Sequence, residues 1–210
     1  MGWGRMQKKR FVKEYLEPLV VAVLIALFVR TFVVQAFEIP SSSMEPTLLI
    51  GDYLLVNKFT YGIRIPYTDT KFFQFKKPRR GDVIVFIFPL DRSKDFIKRV
   101  IGTAGEKVQI IHNKIYIDDR LIDDPWGHFQ KVGPTGYLQA MENFGPVVVP
   151  EDSLFVLGDN RDNSEDSRFW GFLNVSAVLG KAFIFYFSWD WNAESLFDKV
   201  RWSRIGKLIH

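Results

Sequence analysis

The chain has 210 residues and a net charge of +4, with 47% hydrophobic, 25% charged and 16% aromatic residues. That length suits one globular domain of moderate size plus an attached segment, and so apolar a composition excludes a disordered chain. The lack of cysteine removes disulfide staples, thiol nucleophiles and thiolate metal sites. Basic residues scattered outside the N-terminus and Lys76-Lys77-Pro78-Arg79-Arg80 argue against a nucleic-acid partner.

From Tyr15 to Val34 the chain is almost entirely Leu, Val, Ala, Ile and Phe. About 20 helical residues at ~1.5 Å each cover the ~30 Å hydrocarbon core of a bilayer, so residues 15–36 are predicted to be a single transmembrane anchor. Glu17 and Arg30 sit near its two ends, where their stems can reach the interface. Arg5, Lys8, Lys9, Arg10 and Lys13 precede the span, which puts residues 1–14 in the cytoplasm and residues 37–210 on the extracytoplasmic face of the plasma membrane. Two other readings are a signal segment cleaved after Val34-Gln35-Ala36 and a buried globular helix.

A hydroxyl-rich elbow follows directly, Ile39-Pro40-Ser41-Ser42-Ser43-Met44-Glu45-Pro46-Thr47-Leu48. Its two prolines fix φ and push the residue before each toward extended geometry, so a serine between them can be held at a defined angle. Short β-type runs then recur between turn signals: Tyr53–Val56, Asp82–Phe88, Phe96–Ile101, Lys107–Ile111, Lys114–Ile117 after a turn at His112-Asn113, Leu154–Leu157 and Lys181–Trp189. The predicted fold is mostly β, an antiparallel sheet body forming a sandwich or a partly open barrel, with one N-terminal transmembrane helix. Residues 121–146, rich in Gly, Pro and Asp, read as an insertion or small subdomain. The aromatic run in 181–189 reads as a central strand or, with Trp191 and Trp202, as part of a surface facing lipid.

A serine nucleophile needs a base, and His112, His128 and His210 read as surface residues in a turn, the insertion and the C-terminus. No Gly-x-Ser-x-Gly pattern and no Ser-x-x-Lys pattern occurs. Lys98 lies inside an apolar strand, on the face shared by Phe96 and Val100, with Arg99 on the other. Burial there would disfavour its charged form. At a pKa of ~10.4 about one lysine in 2,500 is neutral at pH 7, and at ~8 about one in ten. The fragment by itself also fits an edge-strand lysine whose ammonium reaches solvent.

The loop from Gly158 to Arg168 packs polar side chains more densely than an ordinary turn. A calcium loop would want a ligand where Arg161 stands and a central Gly that is missing. A solvated Asx turn is the plain structural reading. The third reading is a network that holds a catalytic base, with Ser164 or Ser167 bonding the amine and Asp166 pairing with Arg168.

The serine elbow, Arg80-Gly81-Asp82-Val83-Ile84-Val85-Phe86, the Lys98-Arg99 strand and the Gly158–Arg168 loop occur in the order of the motif boxes of bacterial signal peptidase I. The chain resembles that family from the anchor to Arg204-Ile205-Gly206. The resemblance implies Ser43 as nucleophile, Lys98 as general base, Ser164 orienting the lysine, Ser41 as a hydroxyl donor to the oxyanion, and Asp166 with Arg168 as a supporting ion pair. It also implies a shallow apolar substrate pocket from Phe37, Ile39, Met44, Leu48, Val85 and Ile97. The expected activity is removal of signal peptides from exported preproteins after an Ala-x-Ala-like site, with the substrate bound extended, membrane lipid as the other partner, and no cofactor, metal or nucleic acid. Some members carry two N-terminal spans where this chain has one, and the segment between the Lys98 and Gly158 boxes is shorter than in larger members. A non-catalytic membrane-tethered binding domain and a soluble Ser-Lys protease of another task, such as a self-cleaving repressor, are the alternatives.

Overall fold

The computed structural model describes residues 12–64, 71–72, 76–129 and 142–210. Arg5, Lys8, Lys9 and Arg10 of the predicted cytoplasmic N-terminus, and the middle of the predicted 121–146 insertion, lie outside the described residues.

No single helix among the described residues is long and apolar enough to cross a membrane. The apolar stretch is instead a π-type segment Val12–Leu16, an α-helix α1 (Glu17–Phe28) and a second π-type segment Val29–Val33, following one another without an intervening loop. Leu16, Phe28 and Val29, at the junctions, all keep right-handed helical backbone angles. α1 buries none of its side chains against the rest of the protein, and Leu19, Leu24, Ile25 and Phe28 are all exposed. The predicted span of 15–36 overruns at its C-terminal end. Val34–Glu38 form strand β1, which pairs antiparallel with β2 (Asp52–Asn57) in the register Ala36↔Leu55. A backbone satisfied by a neighbouring strand has no need of helical hydrogen bonds, and pairing with β2 decides the boundary.

The rest is antiparallel β-structure: β3 (Ile63–Arg64), β4 (Lys71–Phe72), β5 (Val83–Ile87), β6 (Asp95–Thr103), β7 (Lys107–Ile111), β8 (Lys114–Ile117), β9 (Arg120–Leu121), β10 (Phe144–Val148), β11 (Ser153–Leu157), β12 (Leu173–Asn174) and β13 (Val178–Ser188). A short helix α2 (Ser167–Trp170) lies between β11 and β12, and α3 (Leu196–Lys199) follows β13. A seven-stranded sheet runs β1-β2-β13-β5-β6-β11-β12, and a four-stranded sheet runs β10-β7-β8-β9. The large sheet ends at β1 and β12 instead of closing into a barrel. Leu121 of β9 and residues 144–146 of β10 fall in the stretch read as an irregular insertion, and β10 pairs with β7 through a shift of register between Phe144 and Val147.

Three apolar clusters hold the sheets. On β5 the alternation of side chains sends Val83 and Val85 into one cluster, with Ile39, Met44, Leu48 and Ala182, and Ile84 and Phe86 into a second, with Val100, Val156 and Leu173. β5 is therefore covered on both faces, which explains its unbroken apolar run. The third cluster joins Ile101, Phe155 and Leu157 of the large sheet to Val108, Ile110, Ile115 and Ile117 of the small one. Each such side chain withdrawn from water is worth about 1.5–3 kcal/mol. The turn at His112-Asn113 has φ of 48° and 66°, the left-handed pair that a two-residue hairpin demands.

β13 is a central strand between β2 and β5. Beyond it, Trp191 is 62% exposed, Phe197 84% and Trp202 66%.

Candidate active site

The elbow is fastened at both ends. Ile39 N donates to Asp52 O at 2.8 Å and Gly51 N to Ile39 O at 3.0 Å, so Pro40–Ile50 form a closed excursion from the sheet. Met44 and Leu48, both without solvent exposure, plug this excursion into the first apolar cluster. Arg204 Nη2 donates to Thr47 O at 2.8 Å while its guanidinium pairs with the buried Asp52, which ties the C-terminal segment to the elbow. With the neighbours anchored, Ser41, Ser42 and Ser43 are presented at the top of the loop.

Lys98 stands on β6 opposite Ile84 of β5. It is 3% exposed, and its amine lies 2.7 Å from Ser43 Oγ and 5.4 Å from the centre of the Phe96 ring. Burial lowers its pKa to about 8, against the upward pull of Asp166, Glu165 and Asp159, while Arg168 adds to the lowering. The edge-strand reading, with the ammonium in solvent, does not hold. Ser41 Oγ lies 3.5 Å from Ser43 Oγ.

The loop after β11 presses on this pair from the other side. Asp166 caps α2 and accepts from Gly158 N at 3.1 Å, from Arg168 N at 3.2 Å, and from the Arg168 guanidinium at 2.8 Å through each of Nε and Nη2. Arg168 also donates to Arg161 O at 2.7 Å, closing the loop on itself. Ser167 Oγ accepts from Val156 N at 3.0 Å and so serves the strand, not the lysine. Ser164 is buried beside Gly158, and its hydroxyl bonds to no partner among the described residues; it does not hydrogen-bond Lys98.

Several groups at the site carry no signature in local sequence. Arg99 and Asp159 are both fully buried and joined by two bonds of 2.8 and 2.6 Å, with Trp126 stacked on the guanidinium at 4.6 Å. His128 is exposed, yet its backbone brackets the loop: His128 N donates to Asp159 O at 2.7 Å and its carbonyl accepts from Arg161 N at 2.9 Å. Asn160 and Asn163 reach the elbow directly, at Ser42 O (3.1 Å) and Ser42 Oγ (2.8 Å). A polar residue near a nucleophile would have been the only local hint, and the loop offers too many to choose among.

A cleft of about 340 Å³ opens over the pair, lined by Pro40 to Ser43, Asp95 to Lys98, Asn163 and Glu165. Of the six residues implied as the substrate pocket, Ile97 lines this cleft. Ile39, Met44, Leu48 and Val85 belong to the buried cluster, against which Phe37 and Ile97 pack. Those four are closed to solvent and do not line the cleft, because they are taken up by core packing; Phe96, which the sequence reading left unassigned, supplies cleft wall. The arrangement can hold a hydroxyl against a neutral amine beside an apolar trough, which is the equipment for acyl transfer.

A family model described as signal peptidase, peptidase S26, matches residues 12–189. Signal peptidase I of Pseudomonas aeruginosa is 35% identical over 98% of this chain and 82% of its own length. A probable signal peptidase I-2 of Synechocystis is 40% identical over 79% of this chain and 69% of its own. A crystal structure of a signal peptidase I from Enterococcus faecalis aligns at 30% identity with a TM-score of 0.42, covering 50% of this chain and 97% of that one.

Proposed function

The chain belongs to the signal peptidase, peptidase S26, family, and on that premise we propose that it is a membrane-anchored serine endopeptidase that frees exported preproteins of their signal peptides with a Ser43–Lys98 dyad. The observation that carries the dyad is the 2.7 Å approach of Lys98 Nζ to Ser43 Oγ, from a lysine that is 3% exposed.

At a pKa of about 8 a useful fraction of Lys98 is neutral near pH 7 to 8. In that form the Ser43 hydroxyl donates to the amine lone pair. Ser43 Oγ then attacks the scissile carbonyl carbon as Lys98 takes its proton, and the carbonyl oxygen becomes an oxyanion beside the Ser43 N–H and the Ser41 hydroxyl. Collapse expels the leaving amine with the proton from Lys98, leaving an acyl-enzyme. A water deprotonated by Lys98 hydrolyses it and restores Ser43. Asp166 and Arg168 hold the loop that faces the lysine, and Ser164 fills the space between that loop and the elbow.

An extended substrate fits the edge of β6. Phe96, Ile97 and Lys98 pair with Phe86, Val85 and Ile84 on one side, and β11 takes up β6 only from Arg99 onward. Among the described residues no strand covers the other side of Phe96–Lys98, where the cleft lies. A peptide added there as a strand would place side chains against Phe96 and Ile97, which line the cleft, with the buried cluster of Ile39, Met44, Leu48 and Val85 packed behind Ile97. The Ala-x-Ala preference is the one that the family resemblance implies.

The membrane reading rests on the unbroken succession of helical segments Val12–Leu16, Glu17–Phe28 and Val29–Val33, in which α1 has no buried side chain among the described residues, and on the exposed Trp191, Phe197 and Trp202. The basic N-terminal flank orients the span with the catalytic body outside the cytoplasm.

The test is cleavage of a preprotein bearing an Ala-x-Ala site by the detergent-solubilised protein, with Ser43→Ala and Lys98→Met beside it. The wild type cuts at the site, and both variants stay folded and lose cutting by several orders of magnitude. Equal cutting by Lys98→Met would remove the lysine from the mechanism, and no cutting by any form would return the binding-domain alternative.

A further inference from the structure

Asn160 makes two bonds to two successive carbonyls of the elbow. Its side-chain Nδ2 donates to Ser42 O and its backbone N–H to Ser43 O, each at 3.1 Å. Ser42 O can only accept, so the amino end of the Asn160 amide faces it and the carbonyl end points away. That carbonyl, Oδ1, is buried and accepts from no donor among the described residues. A buried side-chain amide with one end unmet costs stability. Packing alone is a poor account of its presence.

The carbonyl that Asn160 holds has a particular neighbour. Ser42 C=O and Ser43 N–H belong to one planar peptide unit, which tilts as a rigid body. A donor fixed on the oxygen sets the direction of the N–H at the opposite end. It also draws electron density toward the oxygen and makes the N–H a stronger donor. The Ser43 N–H itself makes no hydrogen bond among the described residues.

We propose that Asn160 is a positioning residue of the oxyanion site: its side-chain amide orients and polarises the Ser42–Ser43 peptide so that the Ser43 N–H meets the charge that develops on the scissile carbonyl. This rests on the Ser43–Lys98 reading above. The amide is itself well held. Asn160 is flanked by Asp159, locked to Arg99, and by Arg161, and the carbonyl of Asp159 and the N–H of Arg161 are bonded to the His128 backbone. Asn163, donating to Ser42 Oγ at 2.8 Å, steadies the same residue from the solvent side. A side-chain change at Asn160 leaves the backbone bond to Ser43 O and the plugs Met44 and Leu48 in place. The elbow would keep its position and lose only the setting of one peptide.

The experiment compares wild type, Asn160→Ala and Asn160→Leu, all solubilised full chains, on an Ala-x-Ala preprotein, with Lys98→Met as reference. Asn160→Leu nearly keeps the volume and removes the donor without adding a charge near Lys98, so the test survives if Asn160→Ala fails to fold. Both substitutions are expected to lower kcat on the order of 10- to 100-fold, somewhat less than outright loss of an oxyanion donor, with KM within about twofold. Affinity for a substrate-like peptide aldehyde falls by the same factor as kcat. In that adduct Ser43 Oγ bonds to the aldehyde carbon, its proton passes to Lys98, and the former carbonyl oxygen occupies the oxyanion position. Affinity for the matching peptide alcohol and the acid limb of the pH profile stay as in wild type. An undiminished kcat in Asn160→Leu overturns the proposal, as does a shifted acid limb or an equal loss of alcohol affinity, since those mark damage to the lysine or the whole cleft. A wild type that does not cut, or a Lys98→Met that does, sinks the underlying dyad instead.

Discussion

Lys98 Nζ reaches Ser43 Oγ at 2.7 Å across a separation of 55 residues, from a strand to the tip of a loop. The contact is made in a place where the amine is nearly shut off from water, so the same burial that brings the two together also lowers the lysine's affinity for a proton.

The pH dependence follows from that lowered value. kcat/KM for preprotein cleavage is expected to rise on an acid limb centred near the lysine pKa of about 8 and to be greatest on the alkaline side. Stability moves in the same direction. Below pH ~8 both folded and unfolded chains carry a protonated Lys98 and the full penalty of the buried charge remains. Between about 8 and 10.5 the unfolded chain binds more protons, so folding gains with rising pH. Lys98→Met should therefore be inactive yet more stable than wild type at pH 7, with the difference shrinking toward pH 10. Thermal melts at the two pH values read this directly, and a variant less stable at pH 7 would contradict it.

Glu165 lines the cleft and raises the pKa of Lys98, second only to Asp166 among the carboxylates. Glu165→Gln is expected to move the acid limb to lower pH by a fraction of a unit, because the carboxylate is exposed and screened by solvent and salt. The rate at pH 7 should rise slightly, and added salt should reproduce part of the shift in wild type. An acid limb that moves upward would reverse the sign argued here.

Gly158 has Ser164 Oγ and the Ser43 carbonyl oxygen so close to its Cα that an added Cβ would collide with both. Its φ is not in the left-handed region, so the need is for space and not for conformation. Gly158→Ala should displace Ser43 and, if the proposed dyad carries cleavage, cost on the order of 100-fold in kcat/KM, the usual result of a misplacement of about 1 Å. Cleavage assays on the folded variant decide it, and near-normal turnover would mean that the loop yields without moving Ser43.

Arg99 and Asp159 are both without exposure and satisfy one another through two bonds. Asp159→Ala leaves the guanidinium buried and unpaired and is expected to cost about 3–5 kcal/mol in urea unfolding. Replacing both, as Arg99→Met with Asp159→Leu, should cost clearly less, since no charge is stranded. Equal losses in the single and double variants would show that the pair matters by shape alone.

What the sequence determined by itself was local. The alternation of Val, Ile and Phe between turn residues marks β2, β5, β6, β7, β8, β11 and β13, and His112-Asn113 marks a hairpin, because side-chain period and turn chemistry are written in adjacent residues. The order of the motifs singled out Ser43 and Lys98 and the family to which they point. Tertiary structure decided whatever depends on who lies opposite whom. β1 is a strand and not the end of a helix because β2 is beside it, and β10 exists because β7 offers an edge. Asn160 reaches Ser42 across 118 residues and Arg99 reaches Asp159 across 60, distances over which no pattern in the chain specifies a partner. The lowered pKa of Lys98 belongs to the same class: it is a property of the space around the amine, which only the packed sheets and the closing loop create.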